Sequence, residues 1–489
     1  MPPNVLLVVL DSVRARNTSL HGYGRETTPF LESFAAESTM YTAARAPGMT
    51  SLPSHTSVFT GLAVEEHGAH DSILHGIEPG VTVWERLCEE REYRTGVFSY
   101  NTNLVSEGSL REAFEHVERG SDGPFADGRD VKQFHEATDD AYVGDPRQYP
   151  AYLRFCLESD RPAHSLANGA VTKLQRRFTS PRLDRLRDPA AGEYVDALLE
   201  WTENDGPWAA CLNLMDAHHP YCPKPEHDLW GGTELQRRQS ELSPHPWMVH
   251  GDRVSTDEWA SFEDLYDGAI RQADAAVGRL VRALKRRGEF EETLVVVTSD
   301  HGEGFGEPSR VRPGVRTVGH VAGLHEHLLH VPLLVSYPGQ TDGGVVEELA
   351  TLARFPSVVE AALEDSWRGD EFVPEGPVVA SGSNVEDKLK NTERAARFCG
   401  DTERFADVVR AVYRREDGET YKYVTWGDDE ATVHVEDVRT SERVEHGDPA
   451  GEVERAFGAL LDAGIVVDRG EGHEVSASTR QHLAELGYV

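Results

Sequence analysis

The stretch NVLLVVLD at residues 4–11 is an unbroken apolar run that stops at an aspartate. A strand exposed on one face alternates apolar and polar residues. An unbroken run implies burial on both faces, as in a parallel sheet covered by helices on either side. TLVVVTSDHGE at 293–303 repeats the design. It follows LYDGAIRQADAAVGRLVRALKRRG (265–288), which has helical periodicity and closes on basic residues and Gly288, a helix stop. A helix followed by a buried strand is an α/β crossover. PWAACLNLMDAHHPY (207–221) and HVPLLVSYPG (330–339) supply two more strand candidates. The expected fold class is therefore α/β, with a mainly parallel central sheet and helices on both faces.

The texture changes along the chain. Residues 120–190 are polar, irregular and spotted with aromatics, and are expected to form a helical cap inserted into a catalytic α/β domain of residues 1–345. From about residue 375 short alternating runs appear: VVASGSN (378–384), VVRAVYRR (408–415) and TYKYVTW (420–426). Two-residue alternation predicts antiparallel strands. AGEVERAFGALLDAG (450–464) has a helical pattern. Residues 346–489 are expected to complete the fold and add a small α+β subdomain.

Charge narrows the possible partners. Against 84 acidic residues stand 49 basic ones, giving a formal net charge of -35. Nucleic acid and anionic membranes are poor partners for such a surface. Lysine occurs only at 132, 173, 224, 285, 388, 390 and 422, and all other basic residues are arginine. Acid excess with scarce lysine suggests a halophilic host, where salt screens the repulsion. Five cysteines without CxxC spacing suggest no disulfide framework. No stretch reaches transmembrane length, and the N-terminal apolar run is short and lacks a basic segment before it, so a cytoplasmic protein is expected.

In open α/β sheets ligands bind beyond the carboxyl ends of the strands. Asp11, Asp300 and His301 fall at such ends, as do Asp216 and His218. Aspartates there also serve as plain turn formers. Yet Asp300-His301 sets two metal-ligand types side by side within SDHGEGFGE, whose glycines permit close backbone approach. A further stretch, MTSLPSHTSVFTG (49–61), presents a hydroxyl two residues before a proline, with His55 following. A hydroxyl becomes a useful nucleophile only when a base or a metal activates it.

Taken in order, NVLLVVLDSVRA, TTPFLESFAAES, SLPSHTSVFTGL, HHPY, TSDHGEGFGE and HVPLLV resemble the sulfatase family within the alkaline phosphatase superfamily, across roughly residues 4–340. The resemblance implies an alkaline phosphatase-like fold. It places Ser51 as nucleophile, with Thr50 as the alternative one residue out of register. It assigns one divalent metal ion to Asp11, Ser51, Asp300 and His301. It further places His218 at the ester or leaving group and His320 where the family has a basic residue beyond the metal pair. His55 stands where the family has an arginine, Ser12 where many members have a second aspartate, and Tyr100 and Thr102 where the family has a lysine and a histidine. Ser12, Tyr100 and Thr102 are substrate-side candidates, and His55 joins Ser51, His218 and His320 as a catalytic candidate. His301 replaces an asparagine common in the family, which favours Mn²⁺ or Zn²⁺ over Ca²⁺ or Mg²⁺. The missing arginine argues against conversion of Ser51 to formylglycine. His219 is expected to be a neighbour of the site. His325, His327 and His330 have a spacing that is not a helical ligand face.

The expected function is metal-dependent hydrolysis of a sulfate or phosphate ester in a small molecule or glycan. A phosphodiester or phosphonate is preferred if Ser51 is unmodified. Two alternatives stay open: transfer of a phospho-group to a sugar or glycan, and non-catalytic binding of an anionic polysaccharide.

Overall fold

The computed structural model describes residues 2–468, except 71–74, 107–109, 121–124, 126–127, 132, 135–137, 139–146, 176–190, 205, 243–244, 384–394 and 401. Eight strands form one large sheet: β1 (Asn4–Leu10), β2 (Thr39–Arg45), β3 (Arg94–Ser99), β4 (His116–Glu118), β5 (Trp208–Leu214), β6 (Thr293–Thr298), β7 (Leu333–Ser336) and β8 (Gly344–Thr351). Their spatial order is β8-β2-β7-β6-β1-β5-β3-β4. β1 lies parallel between β5 and β6, and β7 alone runs antiparallel to its neighbours β6 and β2. A parallel neighbour needs a long crossover, usually a helix. The chain between β6 and β7 holds only a hairpin (Phe305–Pro308 with Arg316–Val318) and the four-residue helix Glu326–Leu329, so β7 returns in the opposite sense.

The apolar run of β1 behaves as its composition demands. Val5, Leu7 and Val9 enter one core, and Leu6, Val8 and Leu10 enter the other, on the opposite face of the sheet. Each such buried side chain contributes about 1.5–3 kcal/mol. The second core is covered by α2 (Ala191–Trp201) and α3 (Glu263–Arg287); α3 ends at Gly288 in the left-handed conformation. On the first face lies α1 (Ser51–Thr60), whose Leu52, Val58 and Phe59 are buried.

The C-terminal strands form a second, antiparallel sheet in chain order: β9 (Val378–Ser383), β10 (Val408–Glu416), β11 (Glu419–Trp426), β12 (Asp429–Val435) and β13 (Ser441–Val444). Its inner residues, Ala411, Tyr413, Val424 and Trp426 among them, join the first core of the large sheet. α4 (Pro449–Phe457) packs on its other face through Val453. The helix expected over 450–464 thus stops early: Gly458 caps it, and Leu461 beyond is exposed, with no apolar face to dock. β8 straddles the boundary expected at residue 345. Within 120–190 lie helices Gln148–Leu157 and Pro162–Gln175; much of that stretch, and residues 469–489, falls outside the described residues. No helix among the described residues is long and apolar enough to cross a membrane, and all five cysteines are free thiols.

Candidate active site

The site is built on the carboxyl ends of β1 and β6. Asp11 follows β1 and is fixed by its backbone N–H, which donates to Leu214 O at 2.9 Å. The chain then turns at Ser12, whose φ of 64° is left-handed. Such a conformation costs a residue with a Cβ about 1–2 kcal/mol. It is held by Tyr266, whose hydroxyl donates to Ser12 O at 2.8 Å and accepts from Arg14 N at 2.9 Å. The turn aims Ser12 N–H at Asp300 Oδ1 (3.2 Å) and the Ser12 hydroxyl at Asp11 Oδ1 (3.1 Å). Ser12 therefore braces both carboxylates.

Ser51 is the first residue of α1, and extended Thr50 is its N-cap. Pro53 falls in the first turn, where its missing N–H has no intrahelical role. The Ser54 hydroxyl donates to Asp300 O at 2.6 Å, clamping the helix end to the β6 loop. Ser51 Oγ then lies 3.3 Å from His301 Nε2. The nearby glycines pack against protein: a Cβ on Gly302 would lie 2.0 Å from His327 O, and one on Gly304 would lie 2.5 Å from Thr317 Cγ2.

Asp11, Asp300 and His301 are fully buried. They form the only group of three histidine, cysteine or acidic side chains among the described residues whose ligand atoms all lie within 4.8 Å of one another. His301 Nδ1–H donates to Gly302 O at 2.9 Å, which leaves Nε2 as the ligand atom. Asp300 Oδ1 accepts from Ser12 N and His301 N, while its Oδ2 is buried without a hydrogen-bond partner. That unpaired carboxylate oxygen, with a second carboxylate and an imidazole beside it, fits a divalent metal ion.

The electrostatics agree. Burial opposes the charge on His301, but Asp300 and Asp11 outweigh it and hold its pKa above the ordinary value. Burial also opposes the charge on Asp300, yet His301 and His55 hold it below the carboxylate range. His55 Nδ1–H donates to Ser51 O at 2.9 Å and lies 3.6 Å from Asp300 Oδ2, so this ring orients the helix end.

Adjoining the metal-ligand group, His301, His320 and His218 form a file, with ring centroids 4.5 Å and 5.2 Å apart. His218 Nδ1–H donates to His219 O at 2.8 Å. Burial and the adjoining His301 and His218 hold the pKa of His320 far below the ordinary value. Its Nδ1 lies 3.4 Å from Glu303 Oε1, and the Tyr221 hydroxyl donates to Glu303 Oε2 at 3.1 Å. Burial pushes Glu303 up to about 7, against the pull of His218 and His301.

The remaining candidates have the following surroundings. Tyr100 is buried in the second core, and Thr102 Oγ1 is buried without a hydrogen-bond partner. Between them, Asn101 donates to Asp11 Oδ2 at 2.9 Å, joined by Asn213 at 3.1 Å. The sequence reading missed both asparagines. Their signal is a lone amide at the end of an apolar strand, where it must find a polar partner. Asp216 turns to Gln272 and the N-terminus of α2. His219 stacks on Trp259. His327 meets Arg16 and His330 meets Thr42 O, so the histidines of 325–330 do not converge on one ion.

A conserved-family model described as Sulfatase matches residues 3–362. The chain belongs to the sulfatase family and is an ester-hydrolysing enzyme. Curated relatives include arylsulfatase A of Homo sapiens, 25% identical over 72% of this chain and 62% of its own length. Arylsulfatase K of Bos taurus is 21% identical over 80% of this chain and 68% of its own length. Among solved structures, the phosphonate monoester hydrolase of Agrobacterium radiobacter superposes with a TM-score of 0.59 at 18% identity, covering 94% of this chain and 93% of that one.

Proposed function

We propose that this enzyme is a metal-dependent hydrolase in which unmodified Ser51 attacks a singly charged phosphorus ester, a phosphodiester or phosphonate monoester. The observation that carries the proposal is the placing of Ser51 Oγ 3.3 Å from His301 Nε2, at the N-terminus of α1 and beside the unpaired Asp300 Oδ2. Asp11, Asp300, His301 and Ser51 would hold one divalent ion, Mn²⁺ or Zn²⁺ in view of the imidazole. Bound there, such an ion supplies Lewis-acid charge that lowers the pKa of the Ser51 hydroxyl.

The chain's own residues account for the remaining steps. The first-turn N–H groups of α1 favour negative charge on Ser51 and the ester. Ser51 Oγ forms a bond to phosphorus as the leaving-group oxygen departs. His218, its Nδ1 tied back to His219 O, is assigned as proton donor to that oxygen through Nε2. Water then releases Ser51. His55, His320, Tyr100 and Thr102 supply no fixed cation. A second negative charge on a monoester would therefore be costly to desolvate. A sulfated serine is slow to hydrolyse, so the sulfate chemistry named for the curated relatives would need Ser51 converted to formylglycine, for which His55 is the wrong residue.

The test compares kcat/KM for matched aryl sulfate, aryl phosphate monoester and aryl phosphodiester on enzyme whose Ser51 is confirmed as serine by mass spectrometry. The diester should win. An advantage of ~10-fold or more for sulfate, worth about 1.4 kcal/mol of transition-state preference, overturns the proposal. The substrate is a small molecule or glycan ester, not nucleic acid. A cytoplasmic setting accords with the five free thiols. Halophily accords with the net charge of -35. It requires the melting temperature to rise from dilute to molar salt, and a flat profile rejects it.

A further inference from the structure

The two carboxylates of the candidate metal group divide their oxygens in the same way. The oxygens of a carboxylate have roughly four lone-pair sites, two apiece. Asp300 Oδ1 accepts from two backbone N–H groups, Ser12 N at 3.2 Å and His301 N at 3.0 Å. Its Oδ2 has no hydrogen-bond partner. Asp11 Oδ2 accepts from two side-chain amides, Asn101 Nδ2 at 2.9 Å and Asn213 Nδ2 at 3.1 Å. Its Oδ1 accepts from the Ser12 hydroxyl at 3.1 Å, which leaves a lone pair over. On each side chain one oxygen is saturated and the other is offered.

The main chain imposes this division on Asp300. On Asp11 it depends on two asparagines, and both are held in place. Asn213 lies on β5, in register with Val9 of β1 and Ser99 of β3. The Ser99 hydroxyl accepts from Asn101 N at 2.9 Å and from Asn213 Nδ2 at 3.1 Å. Asn101 Oδ1 accepts from Asn103 N at 3.0 Å, so the Nδ2 end of this amide faces Asp11. Asn101, Asn213, Ser99 and Asp11 are fully buried, so solvent does not compete for these bonds. Amides are uncharged, so they occupy an oxygen of Asp11 without neutralising the carboxylate.

We propose that Asn101 and Asn213 are positioning residues that set metal selectivity, by occupying Asp11 Oδ2 and so keeping Asp11 a one-oxygen ligand. The inference rests on the metal reading given above. Asp11 Oδ1, Asp300 Oδ2, His301 Nε2 and Ser51 Oγ are then the donor atoms that the chain offers. Such a small set suits Zn²⁺, which most often takes about four ligands. It does not suit Ca²⁺, which takes roughly six to eight oxygens and commonly both oxygens of a carboxylate. The asparagines thus add to the preference that the His301 imidazole already gives.

The test measures Zn²⁺ and Ca²⁺ affinities of the full chain by calorimetry, for wild type, Asn101→Leu and Asn213→Leu. All three proteins keep His301, so a changed ratio belongs to the asparagines. Each variant should lose about 10–100-fold in Zn²⁺ affinity, as is usual when a group that orients a metal ligand is removed. Ca²⁺ affinity should hold or rise, so the preference for Zn²⁺ falls by at least about tenfold. A purely structural role would weaken both ions together and leave the ratio unchanged, which would overturn the proposal. Infrared difference spectra of the wild type with and without Zn²⁺ need no variant to fold. The antisymmetric and symmetric carboxylate stretches should move apart, as in one-oxygen binding. If they move together, as in two-oxygen binding, the proposal fails. A wild type that binds neither ion overturns the metal reading itself, whereas Zn²⁺ binding with an unchanged ratio in both variants overturns only the role of the asparagines.

Discussion

Two regions of this molecule bury ionised side chains, and they do so in opposite ways. At the junction with the C-terminal sheet, Glu326 is met by Lys422 Nζ at 2.9 Å, Arg45 at 3.2 Å and the Tyr413 hydroxyl at 2.5 Å. The carboxylate is answered within the chain, and despite burial Lys422 and Arg45 hold its pKa far below the usual range. At the ends of β1 and β6, Asp11 and Asp300 lie equally buried, yet among the described residues no arginine or lysine forms an ion pair with either. Their partners are amides, a serine and two imidazoles. Buried charge met by fixed cations joins two sheets. Buried charge met only by neutral or titratable groups awaits a cation from solution.

That contrast can be broken by paired substitutions. Asp300→Asn keeps an oxygen to accept from Ser12 N and His301 N but loses the charge. It should lower kcat/KM by about 10³-fold or more with little change in melting temperature. Glu326→Gln should do the reverse, costing about 3–5 kcal/mol of stability while leaving kcat on the same order. Unfolding curves and steady-state kinetics on the two proteins check both halves. Equal behaviour of the pair would dissolve the distinction.

A smaller effect sharpens it. Without metal, Asp300 and Asp11 overcome the penalty of burial and hold the pKa of His301 above the ordinary histidine value, so its proton is retained to higher pH. Metal binding must release that proton. Affinity should therefore be constant above the raised pKa and fall about tenfold per pH unit below it. Metal titrations from pH 5 to pH 9 check the slope. Affinity independent of pH would remove His301 from the ligand set.

Much of this was legible in the sequence because buried parallel strands are unbroken apolar runs and their ends are polar. NVLLVVLD and TLVVVTSDH located β1, β6, Asp11, Asp300 and His301 directly. The alternating runs after residue 375 located the antiparallel sheet. Other features depend on tertiary context. The reversal of β7 follows from the short connection before it, since HVPLLV suits either direction. Asn101 and Asn213 act through space on Asp11, so no local pattern marks them as its partners. The lowered pKa of His320 arises from burial and from His301 and His218, the latter distant in sequence. The shared core of the two sheets was also hidden, because composition shifts at residue 375 while packing continues across it.

The central claim is that Asp11, Asp300 and His301 hold the cation that activates Ser51. Its most direct test is the metal content per chain of wild type and Asp300→Asn, both loaded with excess Zn²⁺ or Mn²⁺ and then desalted. One ion per chain in the wild type and close to none in the variant is the expected result. Equal metal content in the two proteins would contradict the account.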